Sequence, residues 1–292
     1  MLPKVQVAQG LTDIETGRLS PKTAQLLDDS LNAARGLVLG LTGPPGVGKS
    51  SLTQKLVEQW VDSGLRVAVL AIDPSSRKSG GALLGDRTRM NFARFGEQAF
   101  IRSMAAGQRL GGLSDATFPA TLFLRAHFDR VIIETVGVGQ SETEITNVAD
   151  CVGLCIQPGS GDSLQFMKAG IAEVPDIVFV TKADLGELAR RAVADVEGAL
   201  SLSKNAASKA QVMLVSSKTG EGLEEAVYAL DNTLNPAGAD SLAKQFEGYV
   251  LECVQHQAGQ LGTTQIMAAM PTRFADLFDM LQTIRVSFGE QS

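Results

Sequence analysis

The sequence has few of the residues that build metal cages. Its 292 residues include only 3 cysteines and 2 histidines. Cys151 and Cys155 fall on one predicted strand, where four residues span about 13 Å, so one metal ion could not bind both. We interpret them as buried, inert thiols. His127 and His256 have no neighbouring ligand residues, so we expect structural roles for both.

Long apolar runs and clusters of basic residues are also missing. No apolar stretch approaches the roughly 20 residues that a membrane-spanning helix needs. A net charge of −6 and a pI near 5.1 argue against a nucleic-acid or anionic-membrane surface, because such binding needs clustered Lys and Arg. Residues 1–30 resemble neither a secretion signal nor a transit peptide. These absences predict a cytoplasmic protein with no nucleic-acid or membrane partner.

The sequence alternates short apolar runs with helical stretches, which is typical of an α/β fold with a parallel sheet. Several runs are apolar on both faces, as expected for strands covered by helices on each side. About 25 residues, including a helix-like segment at 87–96, separate the second and third strands. This length suits a crossover, so we expect parallel strands before Glu134. The predicted strands are 36–43, 66–73, 99–103, 130–135, 151–157, 176–182 and 211–217.

The predicted domain organisation has three parts. A helical N-terminal segment at 1–35 precedes the α/β domain at 36–233. After a Pro/Gly break, a helical extension at 234–292 contains two amphipathic stretches, 241–257 and 271–288. We expect this extension to pack on the domain or to act as a dimerisation arm.

A glycine-rich stretch, LTGPPGVGKSSL (41–52), matches the phosphate-binding pattern G-x-x-x-x-G-K-[ST] between a predicted strand and a predicted helix. A chance match arises in about one such chain in a hundred. The glycines let backbone N–H groups surround phosphates at a helix N-terminus. Lys49 should reach the β- and γ-phosphates, and the Ser50 hydroxyl should bind Mg²⁺. The loop predicts a nucleoside triphosphate bound by Gly43, Pro45, Gly46, Val47, Gly48, Lys49, Ser50 and Ser51.

Two later loops favour guanine as the base. TKAD (181–184) follows an apolar strand, and its aspartate can accept hydrogen bonds from two guanine N–H groups that adenine does not match. The aliphatic chain of its lysine can lie on the base plane. SSKTGEGLEEA (216–226) resembles a Ser-Ala-x-x-Gly loop whose backbone contacts the guanine oxygen. We therefore expect GTP rather than ATP, held by Thr181, Lys182, Asp184, Ser216, Ser217 and Lys218.

Three further stretches resemble the MeaB/ArgK-like G proteins, P-loop GTPases related to the nickel-insertion and signal-recognition GTPases. These stretches are AIDPSSRKSGGALLGDRTRM (71–90), IIETVGVGQSE (132–142) and QPGSGDSLQFMKAGI (157–171). The resemblance covers about residues 36–230 and is more specific than a P-loop alone. It implies a P-loop GTPase fold.

The resemblance also implies a magnesium site. Asp73, Asp86 and Glu134 match the family's supporting carboxylates, and Ser50 completes the set. Many nucleotide hydrolases have Asp-x-x-Gly where this sequence has ETVG (134–137). A glutamate is one methylene longer, which suits reaching Mg²⁺ through water. The alternatives are a turn acid at Asp73 and a helix cap at Asp86.

The residues after the fourth strand are predicted to respond to the γ-phosphate. Gly137 should donate its N–H to that phosphate, with 137–142 moving as the phosphate comes and goes. Lys168 matches a family lysine that approaches the nucleotide; a solvated helix lysine is the alternative. Gln140 stands three positions after Gly137, whereas Ras-type enzymes have a water-orienting glutamine directly after it. We expect slow GTP hydrolysis without a partner, with Lys49, Glu134, Gly137 and Lys168 as catalytic residues.

Thr181 departs from the family pattern. The family usually has an asparagine there, which bonds both the base and the P-loop. Threonine has one short polar group, so the sequence predicts weaker nucleotide binding with selectivity kept by Asp184. The region from 234 onward also matches the family poorly.

The family's function implies a specific role. The chain is expected to be a GTP-hydrolysing chaperone that gates adenosylcobalamin loading and protects or reactivates an acyl-CoA mutase of the methylmalonyl-CoA mutase type. A homodimer is implied, with cobalamin bound only on the mutase because the chain lacks a cobalamin-binding His loop. The alternatives are a GTPase metallochaperone for another metalloenzyme, a kinase or transport-type ATPase, and a module that holds GTP without turnover. The residues do not identify the mutase.

Overall fold

The computed structural model of the chain describes residues 2–16, 20–73, 92–105, 113–135, 144–159, 175–201, 210–234, 239–266 and 270–289. The chain divides into two compact units. The first comprises Met1–Gly36, Asp115–His127 and Ala237–Ser292, and the second comprises Leu37–Ser114 and Phe128–Pro236.

The described residues contain strands, α-helices and short 3-10 helices. The strands are β1 (Leu37–Thr42), β2 (Val67–Asp73), β3 (Ala99–Ala105), β4 (Arg130–Glu134), β5 (Cys151–Ile156), β6 (Ile177–Val180) and β7 (Gln211–Leu214). The α-helices are α1 (Lys4–Thr16), α2 (Pro21–Ala33), α3 (Lys49–Asp62), α4 (Thr117–Arg125), α5 (Glu187–Ser201), α6 (Leu223–Thr233), α7 (Ala239–Ile266) and α8 (Phe274–Gly289). The 3-10 helices are Ala93–Gln98, Ile145–Asn147 and Ala183–Leu185.

The second unit is built on a sheet with the strand order β3-β2-β4-β1-β5-β6-β7. Each pair of neighbouring strands is parallel, and each predicted strand overlaps an observed one. The prediction of an α/β fold with a parallel sheet is therefore confirmed. After β4 the chain crosses from one side of β1 to the other. Ligands of such sheets bind outside the carboxyl ends of the strands at this reversal.

Helix α3 is the next element after β1 and packs against the sheet through one apolar face. Leu52, Leu56 and Trp60 recur every four residues along α3, the spacing of a single helix face. They join Leu39 and Leu41 of β1 in one core cluster, and each of the five side chains is at most 1% exposed. Burying a side chain of this size contributes about 1.5–3 kcal/mol. This packing fixes the N-terminus of α3 at the carboxyl end of β1.

The helix-like segment predicted at 87–96 differs in its described part. Residues Ala93–Gln98 form a 3-10 helix in which Gly96 has φ 51° and ψ −128°. A glycine with positive φ interrupts a helical path, so this segment forms a short turn before β3. Residues 87–91 of the prediction lie outside the described residues.

Three aspartates at the amino ends of strands form reciprocal pairs with residues of neighbouring strands. In each pair the aspartate N–H donates to the partner's carbonyl oxygen at 2.8–2.9 Å. The aspartate carboxylate in turn accepts the partner's backbone N–H at 2.8 Å. These contacts fix the strand register at the edge of the sheet opposite the candidate site. The pairs are Asp129 with Arg66, Asp150 with Val38, and Asp176 with Val152.

The first unit consists of helices α1, α2, α4, α7 and α8 in its described part. The carboxylate of Asp28 on α2 accepts the backbone N–H groups of Phe274 and Ala275 at 2.6 and 3.3 Å, which caps the N-terminus of α8. Phe118 stacks on Tyr249, with ring centroids 5.0 Å apart. The helical character predicted for both terminal regions is confirmed. Among the helices described, none combines the length and apolar character that a membrane crossing requires.

Candidate functional site

The predicted phosphate-binding loop has the backbone that its glycines permit. Gly43, Gly46 and Gly48 have φ values of 135°, 77° and 102°, a region that side chains disfavour. At Gly43 a Cβ atom would also collide with the carbonyl oxygen of Cys155 on β5. Helix α3 begins at Lys49 without a hydrogen bond from a capping side chain. Its first N–H groups therefore form an anion-binding helix N-terminus.

The side chain of the P-loop lysine, Lys49, contacts the backbone of the loop itself. Lys49 is 7% exposed, and its Nζ donates to the carbonyl oxygens of Gly43 at 2.5 Å and Pro44 at 3.0 Å. A buried ammonium requires such partners because its desolvation is costly. A phosphate oxygen is a stronger, charged acceptor and can compete for this lysine. Pro45 and Gly46 are exposed, while Val47 is buried beneath the loop and Ser51 is exposed on α3.

Glu134 at the end of β4 accepts hydrogen bonds from two hydroxyl groups of α3. The Ser50 hydroxyl donates to Oε1 of Glu134 at 2.5 Å, and the Thr53 hydroxyl donates to Oε2 at 2.9 Å. Glu134 is 4% exposed and Thr53 is fully buried. Both carboxylate oxygens thus have fixed donors. The structure places two predicted magnesium-site residues, Ser50 and Glu134, in contact, and it adds Thr53.

The donor set at this point fits a magnesium ion. A serine hydroxyl has one proton and two lone pairs, so Ser50 can donate to Glu134 and still offer oxygen lone pairs to a cation. Asp73 ends β2 and is 5% exposed; on that strand Ala71 pairs in register with Glu134. Within the described ranges, no three His, Cys, Asp or Glu residues gather as a metal site. Mg²⁺ keeps several waters and is usually bound through one or two protein oxygens, a role that the Ser50 hydroxyl can fill.

Thr181 connects the loop after β6 to the P-loop. Its hydroxyl lies 2.6 Å from the carbonyl oxygen of Val47 and 2.9 Å from that of Ile156 at the end of β5. Thr181 is 4% exposed. The short side chain therefore retains a contact with the P-loop.

Lys182 makes a second link to the P-loop. It has φ 58° and ψ 45°, and among the described residues it alone has a positive φ without being glycine. Its Nζ donates to the carbonyl oxygen of Gly46 at 3.4 Å and to Oε1 of Gln157. The backbone of a bulky residue in this region is strained, which is typical of functional loops. Gln157, which directly follows β5, was not among the predicted site residues.

Asp184 is held by the loop after β7. The Ser216 hydroxyl donates to Oδ1 of Asp184 at 2.8 Å, and Nζ of Lys218 lies 3.5 Å from Oδ2. The Ser216 oxygen also accepts the backbone N–H groups of Lys218 and Thr219 at 3.3 and 3.2 Å. The hydrogen bond from Ser216 and the charge of Lys218 hold the pKa of Asp184 below its usual value. These contacts favour Asp184 as an ionised acceptor. The predicted site residue Ser217 is half-buried.

Hydrogen bonds link the P-loop to the loops on both sides of it at the carboxyl edge of the sheet. Lys182 and Thr181 join the base-side loops to the P-loop, and Ser50 joins the P-loop to Glu134. The predicted residues Asp86, Gly137 and Lys168 lie outside the described residues.

The two strand cysteines are confirmed as buried thiols. Cys151 and Cys155 are 1% and 0% exposed. Burial raises the pKa of both thiols well above the usual range. Neither is therefore a reactive thiolate near neutral pH.

The chain matches curated relatives over part of their length. A putative GTPase of Pyrococcus horikoshii is 51% identical over 50% of this chain and 47% of its own length. A mouse protein named methylmalonic aciduria type A homolog, mitochondrial, is 40% identical over 64% of this chain and 46% of its own. The chain thus spans about half the length of these curated relatives.

A solved structure and a family model each match most of the chain. The crystal structure of a LAO/AO transport system kinase superposes with a TM-score of 0.65 at 28% identity, over 91% of this chain and 83% of that one. The family model described as methylmalonyl Co-A mutase-associated GTPase MeaB matches residues 7–257. With its P-loop GTPase fold and these matches, the chain belongs to the MeaB family of methylmalonyl-CoA mutase-associated GTPases.

Proposed function

We propose that the chain is a magnesium-dependent GTPase that serves as a chaperone for an adenosylcobalamin-dependent acyl-CoA mutase. In this role it gates loading of the cofactor and protects or reactivates the mutase. The observation that carries the GTPase part is the continuous link from the P-loop through Thr181 and Lys182 to the Asp184–Ser216 pair. The family description and the name of the mouse relative support the mutase part.

On the phosphate side, each group has a distinct role. The uncapped N-terminus of α3 binds phosphate oxygens with its backbone N–H groups. Lys49 exchanges the carbonyl oxygens of Gly43 and Pro44 for the β- and γ-phosphates. This exchange leaves two loop carbonyls without the lysine, so phosphate binding and loop conformation are coupled.

On the metal side, Ser50 is the proposed direct protein ligand of Mg²⁺. Glu134 and Asp73 support the ion, with Asp86 as the further carboxylate from the sequence pattern. When bound, the ion neutralises charge on the β- and γ-phosphates. Glu134 accepts a hydrogen bond from the Ser50 hydroxyl and thereby leaves the serine lone pairs free to face the cation.

On the base side, guanine selectivity comes from Asp184. An ionised carboxylate accepts two N–H groups of guanine, and adenine would leave it without matching donors. Ser216 and Lys218 orient this carboxylate from the loop after β7. Lys182 supports the base plane with its aliphatic chain.

Use as a switch requires that the γ-phosphate favour one conformation strongly. A shift from 1:99 to 99:1 needs about 5.5 kcal/mol of differential binding. We assign this sensing to Gly137, to residues 137–142 and to residues 157–171, with Lys168 approaching the nucleotide. Hydrolysis is slow in the isolated protein because a water-orienting glutamine does not follow Gly137. The mutase then completes the site.

The proposal extends to the assembly. The chain acts as a homodimer in the cytoplasm, and cobalamin binds on the mutase. Along the sequence, a helical segment at 1–35 and a helical extension at 234–292 flank the GTPase domain at 36–233, whose residues 115–127 group with the two terminal regions. Size-exclusion chromatography with light scattering tests the dimer directly. A monomer at micromolar concentration would overturn that part alone.

Two measurements test the function in order. Titration calorimetry with GTP, GDP and ATP in Mg²⁺ should give guanine-nucleotide binding at least tenfold tighter than ATP. Equal binding of ATP would favour the kinase or transport-type ATPase alternative. Immobilised protein is then exposed to a purified methylmalonyl-CoA mutase with GDP, a non-hydrolysable GTP analogue or no nucleotide. Association in none of these states would reject the mutase role and leave the GTPase proposal standing.

A further inference from the structure

Thr53 makes a buried contact that the proposed chemistry of the site does not yet use. Its hydroxyl donates to Oε2 of Glu134 at 2.9 Å, while Ser50 holds Oε1 at 2.5 Å. Thr53 stands three residues after Ser50, so the two hydroxyls lie on the same face of α3. Because Thr53 is fully buried, bulk water cannot take its place.

The direction of this hydroxyl differs from that of four other helical threonines in the described part of the chain. A threonine inside a helix commonly donates to the carbonyl oxygen four residues earlier. Thr12, Thr121, Thr233 and Thr283 all do so, at 2.8–3.0 Å. Thr53 directs its single proton to Glu134 instead. The hydrogen bond therefore links two different elements, α3 and the end of β4.

A glutamate at this position needs such an anchor more than an aspartate would. Glu134 has one more rotatable bond than the usual aspartate, so its carboxylate can occupy more positions. With both oxygens held by hydroxyls of α3, one orientation is fixed. Groups that orient residues around a metal commonly change metal affinity about 10- to 100-fold when removed.

We propose that Thr53 is a positioning residue for the magnesium site, acting through Glu134. By holding Oε2, it keeps Oε1 directed at Ser50, and so keeps the Ser50 lone pairs available to the ion. This inference rests on the proposed GTPase function. Thr53 is proposed to act on metal binding and not on base binding. The affinity for nucleotide in the absence of metal should therefore not depend on Thr53.

The test compares the magnesium dependence of nucleotide release in matched variants. Thr53→Val removes the hydroxyl with little change of shape, and Thr53→Ser restores it. Thr121→Val is the control, because Thr121 is a buried helical threonine that bonds its own helix. The dissociation rate of a fluorescent GDP is measured over a range of Mg²⁺ concentrations and in EDTA.

The expected result is a change in the Mg²⁺ dependence of GDP release, with the release rate in the absence of Mg²⁺ unchanged. Thr53→Val should raise the Mg²⁺ concentration for half-maximal slowing of GDP release by about 10-fold or more. Its release rate in EDTA should stay within about twofold of the natural protein. Thr53→Ser and Thr121→Val should keep the natural magnesium dependence. Thr53→Ala provides the same comparison if valine prevents folding.

The outcomes separate this inference from the proposed function. An unchanged magnesium dependence in folded Thr53→Val or Thr53→Ala overturns the positioning role while the GTPase proposal stands. An equal change in EDTA and in Mg²⁺ also overturns it, because that result indicates general damage. If the natural protein releases GDP at the same rate with and without Mg²⁺, the magnesium part of the proposed function fails, and this inference fails with it.

Discussion

Thr181 donates its hydroxyl to the carbonyl oxygen of Val47 in the P-loop, 2.6 Å away. The same hydroxyl lies 2.9 Å from the carbonyl oxygen of Ile156. Because a hydroxyl carries one proton, these two carbonyls share a single donor. The base side and the phosphate side of the site are thus joined through one buried atom. A change at Thr181 should therefore affect the binding of the phosphates as well as the binding of the base.

Replacing Thr181 by Val should weaken GTP and GDP binding together. The change keeps the shape and removes the donor, which leaves the buried carbonyl of Val47 without this partner. Such a loss costs about 1–3 kcal/mol, or roughly 5- to 150-fold in affinity. The ratio of GTP to ATP affinity should stay constant, since Asp184 is unchanged. Titration calorimetry measures both quantities, with Thr181→Ser as the control that keeps the hydroxyl.

The sequence predicted the sheet and the loops more fully than the contacts between them. Apolar runs predicted the strands, the P-loop pattern singled out Ser50, and the family resemblance singled out Glu134. They did not reveal Thr53, because a single polar residue in a helix has no distinctive pattern. Gln157 stands in the family-like stretch 157–171, but its contact with Lys182 depends on the fold. They also did not reveal that residues 115–127 group with both chain termini, since this depends on tertiary packing between distant segments.

Replacing Lys49 by Ala should weaken binding of GTP far more than it affects folding. The ammonium has charged phosphate acceptors only when nucleotide is bound, and a charged hydrogen bond contributes about 1.5–3 kcal/mol. GTP affinity should therefore fall by about 10-fold or more. Lys55→Ala is the control on the same helix, because Lys55 pairs with Glu58 away from the loop at 2.7 Å. Equal affinities for both variants would contradict the phosphate role of Lys49.

Replacing Asp184 by Asn should change which base is preferred. The amide can donate an N–H to the second carbonyl oxygen of xanthine, but it presents a donor to the guanine N–H groups. Affinity for GTP should fall and affinity for XTP should rise, so that their ratio reverses. Competition of both nucleotides against a fluorescent GDP measures the ratio. Unchanged GTP preference in Asp184→Asn would show that Asp184 does not read the base.

The pH dependence of base recognition follows from the same carboxylate. Because the hydrogen bond from Ser216 lowers the pKa of Asp184, the ionised form is favoured in the folded protein. The stabilisation that the ionised Asp184 gains from this hydrogen bond is fully present above the ordinary aspartate pKa of about 3.9. It is lost as the pH falls through the lowered pKa. The GTP-to-ATP affinity ratio should therefore stay constant from about pH 8 to pH 5. In Ser216→Ala, loss of selectivity on acidification should begin at a higher pH.

Replacing Asp150 by Ala should destabilise the sheet without touching the nucleotide site. The carboxylate of Asp150 accepts the backbone N–H of Val38 at 2.8 Å, and Val38 is fully buried. A buried N–H without its partner costs about 1–3 kcal/mol. Asp150→Asn keeps an acceptor oxygen, so its free energy of unfolding should fall by less than that of Asp150→Ala. Urea unfolding followed by the fluorescence of Trp60, the single tryptophan of the chain, should show a lower midpoint with an unchanged slope. A midpoint for Asp150→Ala equal to that of the natural protein would mean that the paired strands do not depend on this carboxylate.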